Sequence, residues 1–396
     1  MICLKNLLRV VELLRKSVVE GFRVTREDAS TKPLELVEEA NPRQVDLFEK
    51  HLIKKFEVAP ARPPRDLFAV DSSSRVVETP YVFLAIAAGT VHSRFTGKGI
   101  DVPSLASIVG VEEPPCRHIA LVPEVESPRE VAEAILSARG ITTSNPLGVA
   151  YTSTYNKHAL LAELRLSLEQ CLLELFSSSE LAESGTILLL DGPLAYPTTP
   201  MLVEPRDFER VRIYVEAIEL LNKKREQVVS KLAEKGLQVI SVVKRLHKSY
   251  ILSLVDPASI SPRGKVNDEA YLSTLVLTNS GLYGQPFIVG PILVKQKPPC
   301  SLNRIVWYIG FPRRIYPLRG GLGNYVFYRV EVFEKMISES VLNYIAYDSI
   351  HTGSLLPLSI LVADRRVKKL TSSLVNYILY LTGLTEESTK QYISML

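Results

Sequence analysis

Two short apolar runs in this chain each end in an aspartate followed by small residues, AVDSSS (69–74) and LLLDGPL (188–194). The runs they close, LFAVD (67–71) and TILLLD (186–191), are apolar along nearly their whole length. That pattern suits strands covered on both faces of a sheet. A carboxylate at the C-terminal end of such a strand stands at the rim where open α/β sheets receive ligands. If the two strands are neighbours, two carboxylates meet and repel one another unless a cation lies between them. Oxygen donors alone suit Mn2+ or Mg2+. Asp71 and Asp191 are therefore the candidate metal ligands; the plainer role for either is to cap the adjoining turn.

The rest of the chain reads as strands alternating with helices, an α/β class with a mixed central sheet flanked by helices. Residues 81–91, 237–244, 287–295 and 304–310 read as further strands, with a pair of alternating runs near 324–333. Leu161, Leu164, Leu168, Leu172 and Leu175 share a stripe that predicts a helix over about 158–181. A second long helix is expected over 206–235, and others near 333–347, 357–369 and 371–382. Ahead of the core, residues 4–20 read as an amphipathic helix and 42–51 as a short helical stretch. The proline-rich segment 58–65 separates this arm from the core. The expected division is an N-terminal helical arm and connector over 1–66 and one catalytic domain over 67–396, with an elaboration inserted at about 92–150.

A third carboxylate is expected from the helix before the second aspartate strand. A six-residue strand rises about 20 Å, which a helix covers in about 13 residues. If the helix runs to Leu181, that level falls near Glu169, the preferred residue. Glu174 is the second choice, needing a shorter climb or a tilted helix, and Glu163 fits if the helix ends near Phe176. The plainer role of each is a solvated glutamate on a helix face.

Lys244 ends a buried-type strand and opens the basic cluster KRLHK (244–248), beside Tyr250. A lysine there can neutralise a phosphate next to a metal, and Arg245 and Lys248 extend the basic surface. Arg313, Arg314 and Arg319, interleaved with Trp307 and Tyr316, form a second cationic and aromatic strip of the kind that binds single-stranded nucleic acid. The alternative for both groups is ordinary exposed charge. A formal net charge of +4 gives no globally basic surface, so nucleic-acid binding has to be local.

Several chemistries are excluded. No GxxxxGK[ST] segment is present, so the chain lacks a P-loop. Ser72, Ser73 and Ser74 have no GxSxG elbow around them. The six histidines never fall at metal-ligand spacing. Cys3, Cys116, Cys171 and Cys300 are scattered, which argues against a zinc ribbon and against disulfides; reduced thiols in a cytoplasmic protein are expected. The N-terminal stripe is broken by charges, unlike a secretory signal, and no uncharged apolar run is long enough to span a membrane.

The order of these motifs resembles the NurA family of archaeal nucleases. The matching pieces are AVDSSSR (69–75), a long helix followed by LLLDGPL (188–194), a strand ending VVK (242–244), YRVEV (328–332) and the proline-led PLSILVADRRVKK (357–369). The resemblance covers about residues 67–370. It implies an RNase H-like fold and a metal-dependent nuclease that resects DNA ends in double-strand break repair, as a 5′–3′ exonuclease and single-strand endonuclease. It also implies a homodimer working with a HerA-type hexameric translocase, which would supply the ATP chemistry absent here. Asp71 and Asp191 match the family's metal-binding aspartates, and Glu169 its helix glutamate. Asp364 stands where the family often has histidine, Leu356 where a tyrosine often precedes that motif, and Pro193 where serine is usual. Either aspartate or histidine can ligate Mn2+ or Mg2+. The competing expectations are a DNA-end clamp or HerA adaptor that has lost catalysis, and an RNase H-like enzyme acting on RNA or hybrid strands.

Overall fold

A computed structural model describes residues 7–14, 36–37, 45–47, 52–60, 64–78, 82–123, 133–135, 138–200, 208–296, 300, 302–313, 325–336 and 340–382. Its centre is a 12-stranded mixed sheet. In chain order the strands are β1 (Val45–Leu47), β2 (Ile53–Lys55), β3 (Leu67–Glu78), β4 (Val82–Ser93), β5 (Gly99–Val102) and β6 (Ile119–Pro123). They continue with β7 (Ile141–Thr142), β8 (Ile187–Asp191), β9 (Gln238–Val243), β10 (Phe287–Val294), β11 (Arg304–Pro312) and β12 (Tyr325–Phe333). Across the sheet they lie in the order β1-β10-β11-β12-β9-β8-β3-β4-β6-β7, with β2 beside β10 and β5 beside β4. The central five, β6-β4-β3-β8-β9, combine antiparallel β6-β4-β3 with parallel β3-β8-β9. This is the mixed sheet expected from the sequence, of the RNase H-like kind that the resemblance implies.

Helices cover both faces. α1 (Lys157–Ser178) and α2 (Phe208–Glu234) lie on one, while α4 (Ser340–Ile350) and α5 (Leu358–Thr382) lie on the other; α3 (Asp268–Thr278) packs beyond β9 and β10. Leu164, Leu168, Leu172 and Phe176 recur at helical spacing and pack α1 on Phe68, Val70, Leu188 and Leu190. Ile345, Ile360 and Ala363 pack α4 and α5 on Leu67, Ala69, Ile187 and Leu189. Alternation along β3 therefore sends Phe68 and Val70 to α1 and Leu67 and Ala69 to α5. By the same rule Asp71 faces α5 and Ser72 faces α1. α1 approaches closely at Gly89 in β4, where a Cβ would sit 2.4 Å from Leu172 Cδ1.

Several sequence expectations change. β3 does not stop at Asp71 but runs on to Glu78, because Ser72–Ser74 pair with Ala87–Gly89 of β4 instead of turning. Within 42–51, Val45–Leu47 form a strand on β10, not a helix; the rest of that stretch lies outside the described residues. The expected C-terminal helices 357–369 and 371–382 are one continuous helix, since no proline or glycine interrupts 358–382. The helix expected from 333 begins at Ser340, after a 3-10 turn over Glu334–Met336. In the region 92–150, β6 and β7 widen the sheet at its edge. Residues 7–14 are helical, and their stripe of Leu7, Val10, Val11 and Leu14 packs with Leu374, Val375 and Ile378 of α5.

The cysteines also depart from expectation. Cys116 and Cys171 form a disulfide, with Cα atoms 6.1 Å apart, joining the segment before β6 to α1. A separation of 55 residues carries no spacing signal, and only the packing of α1 beneath the sheet edge brings the two together. Cys300 is free and buried. Among the described residues no helix is long and apolar enough to cross a membrane.

Candidate metal centre

Parallel pairing of β3 with β8, in the register Val70 to Leu190, sets Asp71 and Asp191 on neighbouring strands at the same level. β8 ends at Asp191, and Gly192, at φ 126°, turns the chain away directly behind it. Asp364 arrives from the α5 face, one position beyond Ala363, which packs against the sheet. Carboxylate oxygens of Asp71, Asp191 and Asp364 all lie within 4.8 Å of one another. Their surroundings do little to offset this crowding. Burial, reinforced by the Asp191 and Glu169 charges, pushes the Asp71 carboxyl up to about 8, against the pull of the Ser72 N–H and Lys244. Burial, with Glu169 and Asp364 adding to it, also raises Asp191, although Lys244 opposes this.

Lys244 Nζ lies 2.6 Å from Asp191 Oδ2. It comes directly after the last residue of β9 and is half-buried, so it stands at the same end of the sheet as the acids. Asp364 also meets Lys368 at 2.8 Å, one turn along α5, but that lysine is 63% exposed. Three converging, partly buried carboxylates with oxygen donors only form a set that fits a hard divalent cation.

The glutamates separate clearly. Glu169 lies on the α1 side of the sheet, opposite the face that carries the three aspartates. Its Oε2 accepts a hydrogen bond from Ser72 Oγ at 3.3 Å, and Ser72 N–H in turn bonds Asp71 Oδ1 at 2.7 Å. It is therefore adjacent to the cluster through Ser72 and acts on Asp71 and Asp191 electrostatically. Glu174 is exposed, accepts from Gln170 Nε2 at 3.0 Å and lines a cavity beside the Cys116–Cys171 disulfide. Glu163 is buried and accepts from Tyr155 and Tyr151 hydroxyls at 2.8 and 3.2 Å. Neither of these two shares the aspartate cluster.

In the expected basic strips, Arg245 is exposed and Lys248 half-buried after Lys244, and Arg313 is exposed at the end of β11. Arg314, Tyr316 and Arg319 lie outside the described residues. Trp307 is not a stacking surface: it is 1% exposed, packed in the core beneath α4 and α5. Its place inside β11 turns it inward by strand alternation, which its nearness in sequence to the arginines does not reveal.

Buried ionic side chains that sequence reasoning passed over surround the site. Arg225 of α2 pairs with Glu169 at 3.0 Å and also donates to the Tyr196 hydroxyl. Glu331 of β12 accepts the Leu194 N–H at 2.6 Å, bracing the loop after Asp191, and is itself held by Arg304 at 3.1 Å and Arg329 at 2.8 Å. Ser241 Oγ donates to the Gly192 carbonyl. The alternating RVE within YRVEV was a signal, since two charges on one face of a strand flanked by valines imply a buried pair.

The NurA domain family matches residues 65–368 of the chain. No curated protein sequence matches it. Among solved structures it is similar to the NurA nuclease from Sulfolobus solfataricus, at 12% identity over 83% of this chain and 87% of that one, with a TM-score of 0.40. A structure of NurA bound to dAMP and manganese matches at 10% identity over 78% and 86%, with a TM-score of 0.40. A structure of NurA with manganese matches at 9% identity over 89% and 92%, with a TM-score of 0.33.

Proposed function

Because the chain belongs to the NurA family, we propose that it is a divalent-metal-dependent DNA nuclease that hydrolyses phosphodiester bonds at DNA ends. The observation that carries this reading is the convergence of Asp71, Asp191 and Asp364 within 4.8 Å. These three would hold Mn2+ or Mg2+. Bound there, a divalent cation supplies Lewis-acid stabilisation of phosphoryl charge and a nucleophile at neutral pH.

The protein's own groups do the rest. Asp71 is fixed by the Ser72 N–H and Asp191 by Lys244, so both carboxylates are pre-aligned. Lys244, half-buried beside Asp191, is placed to offset charge on a phosphate that enters the site. Glu169 adds negative charge from behind the strand. Arg245, Lys248 and Arg313 are the candidate contacts to the DNA backbone, with Arg314 beyond the described residues. Such contacts set register and affinity without reading sequence.

The finer reading is 5′–3′ exonuclease and single-strand endonuclease action in end resection, as a cytoplasmic homodimer with a HerA-type hexameric ATPase. A disulfide is compatible with that compartment in organisms whose intracellular proteins are disulfide-rich. The test is cleavage of end-labelled single- and double-stranded DNA, and matched RNA, with Mn2+, Mg2+ or EDTA. Metal-dependent cutting of DNA that is lost in Asp191→Ala is the expected result. No cutting with any metal, even with a HerA-type partner present, would replace it with an adaptor role.

A further inference from the structure

Helix α2 carries a buried stripe of Ile218, Leu221, Asn222, Arg225, Val228 and Val229. An arginine in that stripe is unexpected, because a guanidinium in the interior loses its hydration. The Arg225 side chain is fully buried, and the Glu169 side chain it meets is 3% exposed. Arg225 Nη1 donates to Glu169 Oε1 at 3.0 Å and to the Tyr196 hydroxyl, and the guanidinium stacks 4.5 Å from the Tyr196 ring centre. Its Nε and Nη2 have no hydrogen-bond partner among the described residues. One turn earlier, Asn222 accepts the Tyr196 N–H at 2.8 Å and donates to the Tyr196 carbonyl at 3.0 Å.

These contacts lead to both aspartate strands. Through Glu169 and Ser72 the arginine reaches Asp71, and through Tyr196 it reaches the loop that leaves Asp191. A well-packed apolar pair would join α1 to α2 as firmly as a buried ion pair, so packing alone does not account for the choice. Charge does. With every acid ionised, Asp71, Asp191, Asp364 and Glu169 against Lys244 and Arg225 leave two negative charges, which one divalent cation matches. Lys368, the further partner of Asp364, is largely exposed and screened by solvent.

We infer that Arg225 is a positioning residue of the metal centre, holding the Glu169 carboxylate behind Asp71 so that the aspartates share one cation. The inference rests on the metal reading proposed above. It is tested by titrating folded, metal-free protein with Mn2+ and following free Mn2+ by electron paramagnetic resonance, which needs no turnover. Arg225→Met and Glu169→Gln are each expected to weaken Mn2+ binding about tenfold or more. Arg225→Lys should recover most of that loss. The double variant should bind no more weakly than Glu169→Gln alone, because the arginine acts through the glutamate. Folded Arg225→Met with wild-type affinity, or losses that multiply in the double variant, would overturn the inference while leaving the metal site standing. If Arg225→Met does not fold, Glu169→Gln decides, and wild-type affinity there overturns it. Wild-type protein that takes up no Mn2+ overturns the metal reading and this inference together.

Discussion

The two faces of the central sheet each bury a cluster of charged side chains, and they are built on opposite principles. On the α1 and α2 side, Glu331 is surrounded by donors: Arg304, Arg329 and the Leu194 N–H. Burial alone would raise its carboxyl, but Arg329 and Arg304 outweigh it and hold Glu331 below the ordinary carboxylate range. Nearby, Asp268 accepts from Ser249 and Tyr308, each at 2.5 Å, and from Leu252 N–H at 2.8 Å. On the α5 side, Asp71, Asp191 and Asp364 converge with Lys244 as the one close, half-buried counter-charge among the described residues, and Asp71 is pushed up to about 8 by burial and its neighbours' charges. A buried charge cluster that satisfies itself is scaffold; one that leaves charge over has room for a ligand.

Substitutions on the two faces should therefore have opposite consequences, and the satisfied face should respond most strongly. Glu331→Gln removes the carboxylate charge shared by two buried guanidinium groups and should lower unfolding free energy by about 3–5 kcal/mol, read from urea denaturation. Unchanged stability would mean the network is not a scaffold. On the other face Asp191→Ala should cost more than about a hundredfold in metal-dependent cleavage while leaving the fold intact by circular dichroism. Asp71→Asn probes the same face through stability. Removing one of three crowded acids should stabilise the metal-free protein by about 1 kcal/mol, and the gain should reverse when Mn2+ stabilises only the wild type. Thermal melts in EDTA and in Mn2+ measure both signs, and a loss of stability in EDTA would contradict the crowding argument.

A weaker response is expected from Glu163, a buried acid belonging to neither cluster. Burial raises its carboxyl from the ordinary 4.5 to about 8, against the hydrogen bonds of Tyr155 and Tyr151. The folded protein therefore binds this proton more tightly than the unfolded chain does. Its contribution to stability is complete below pH 4.5 and is lost as pH rises through 8. Glu163→Gln, neutral at every pH, should flatten the fall in stability across that window. Identical pH profiles for the two proteins would remove Glu163 as the source.

The strands that carry Asp71 and Asp191 were legible because a strand covered on both faces leaves an unbroken apolar run, and a carboxylate at its end stands out. The extent of β3 was not, since three serines read as a turn until β4 supplies partners for their backbone. Arg225 was hidden for a related reason. A charged residue in a sequence reads as surface, and only the partner on another element shows that it is interior. Glu169 was expected from the level of its helix, yet helical level alone does not tell which face of the sheet a side chain approaches. Asp364 was expected by resemblance, and the packing of α5 across β3 and β8 is what brings it to the other two acids.

The disulfide between Cys116 and Cys171 makes a covalent ring of the chain that includes strands β6 and β7 and about two thirds of α1, with Glu169. Closing a loop of this length removes conformational freedom from the unfolded chain equivalent to about 4 kcal/mol in the chain-entropy view. It also changes what a protease can accomplish. A single cut within the ring leaves both ends attached, so the nicked chain should run as one species on a denaturing gel without reductant and as two with it.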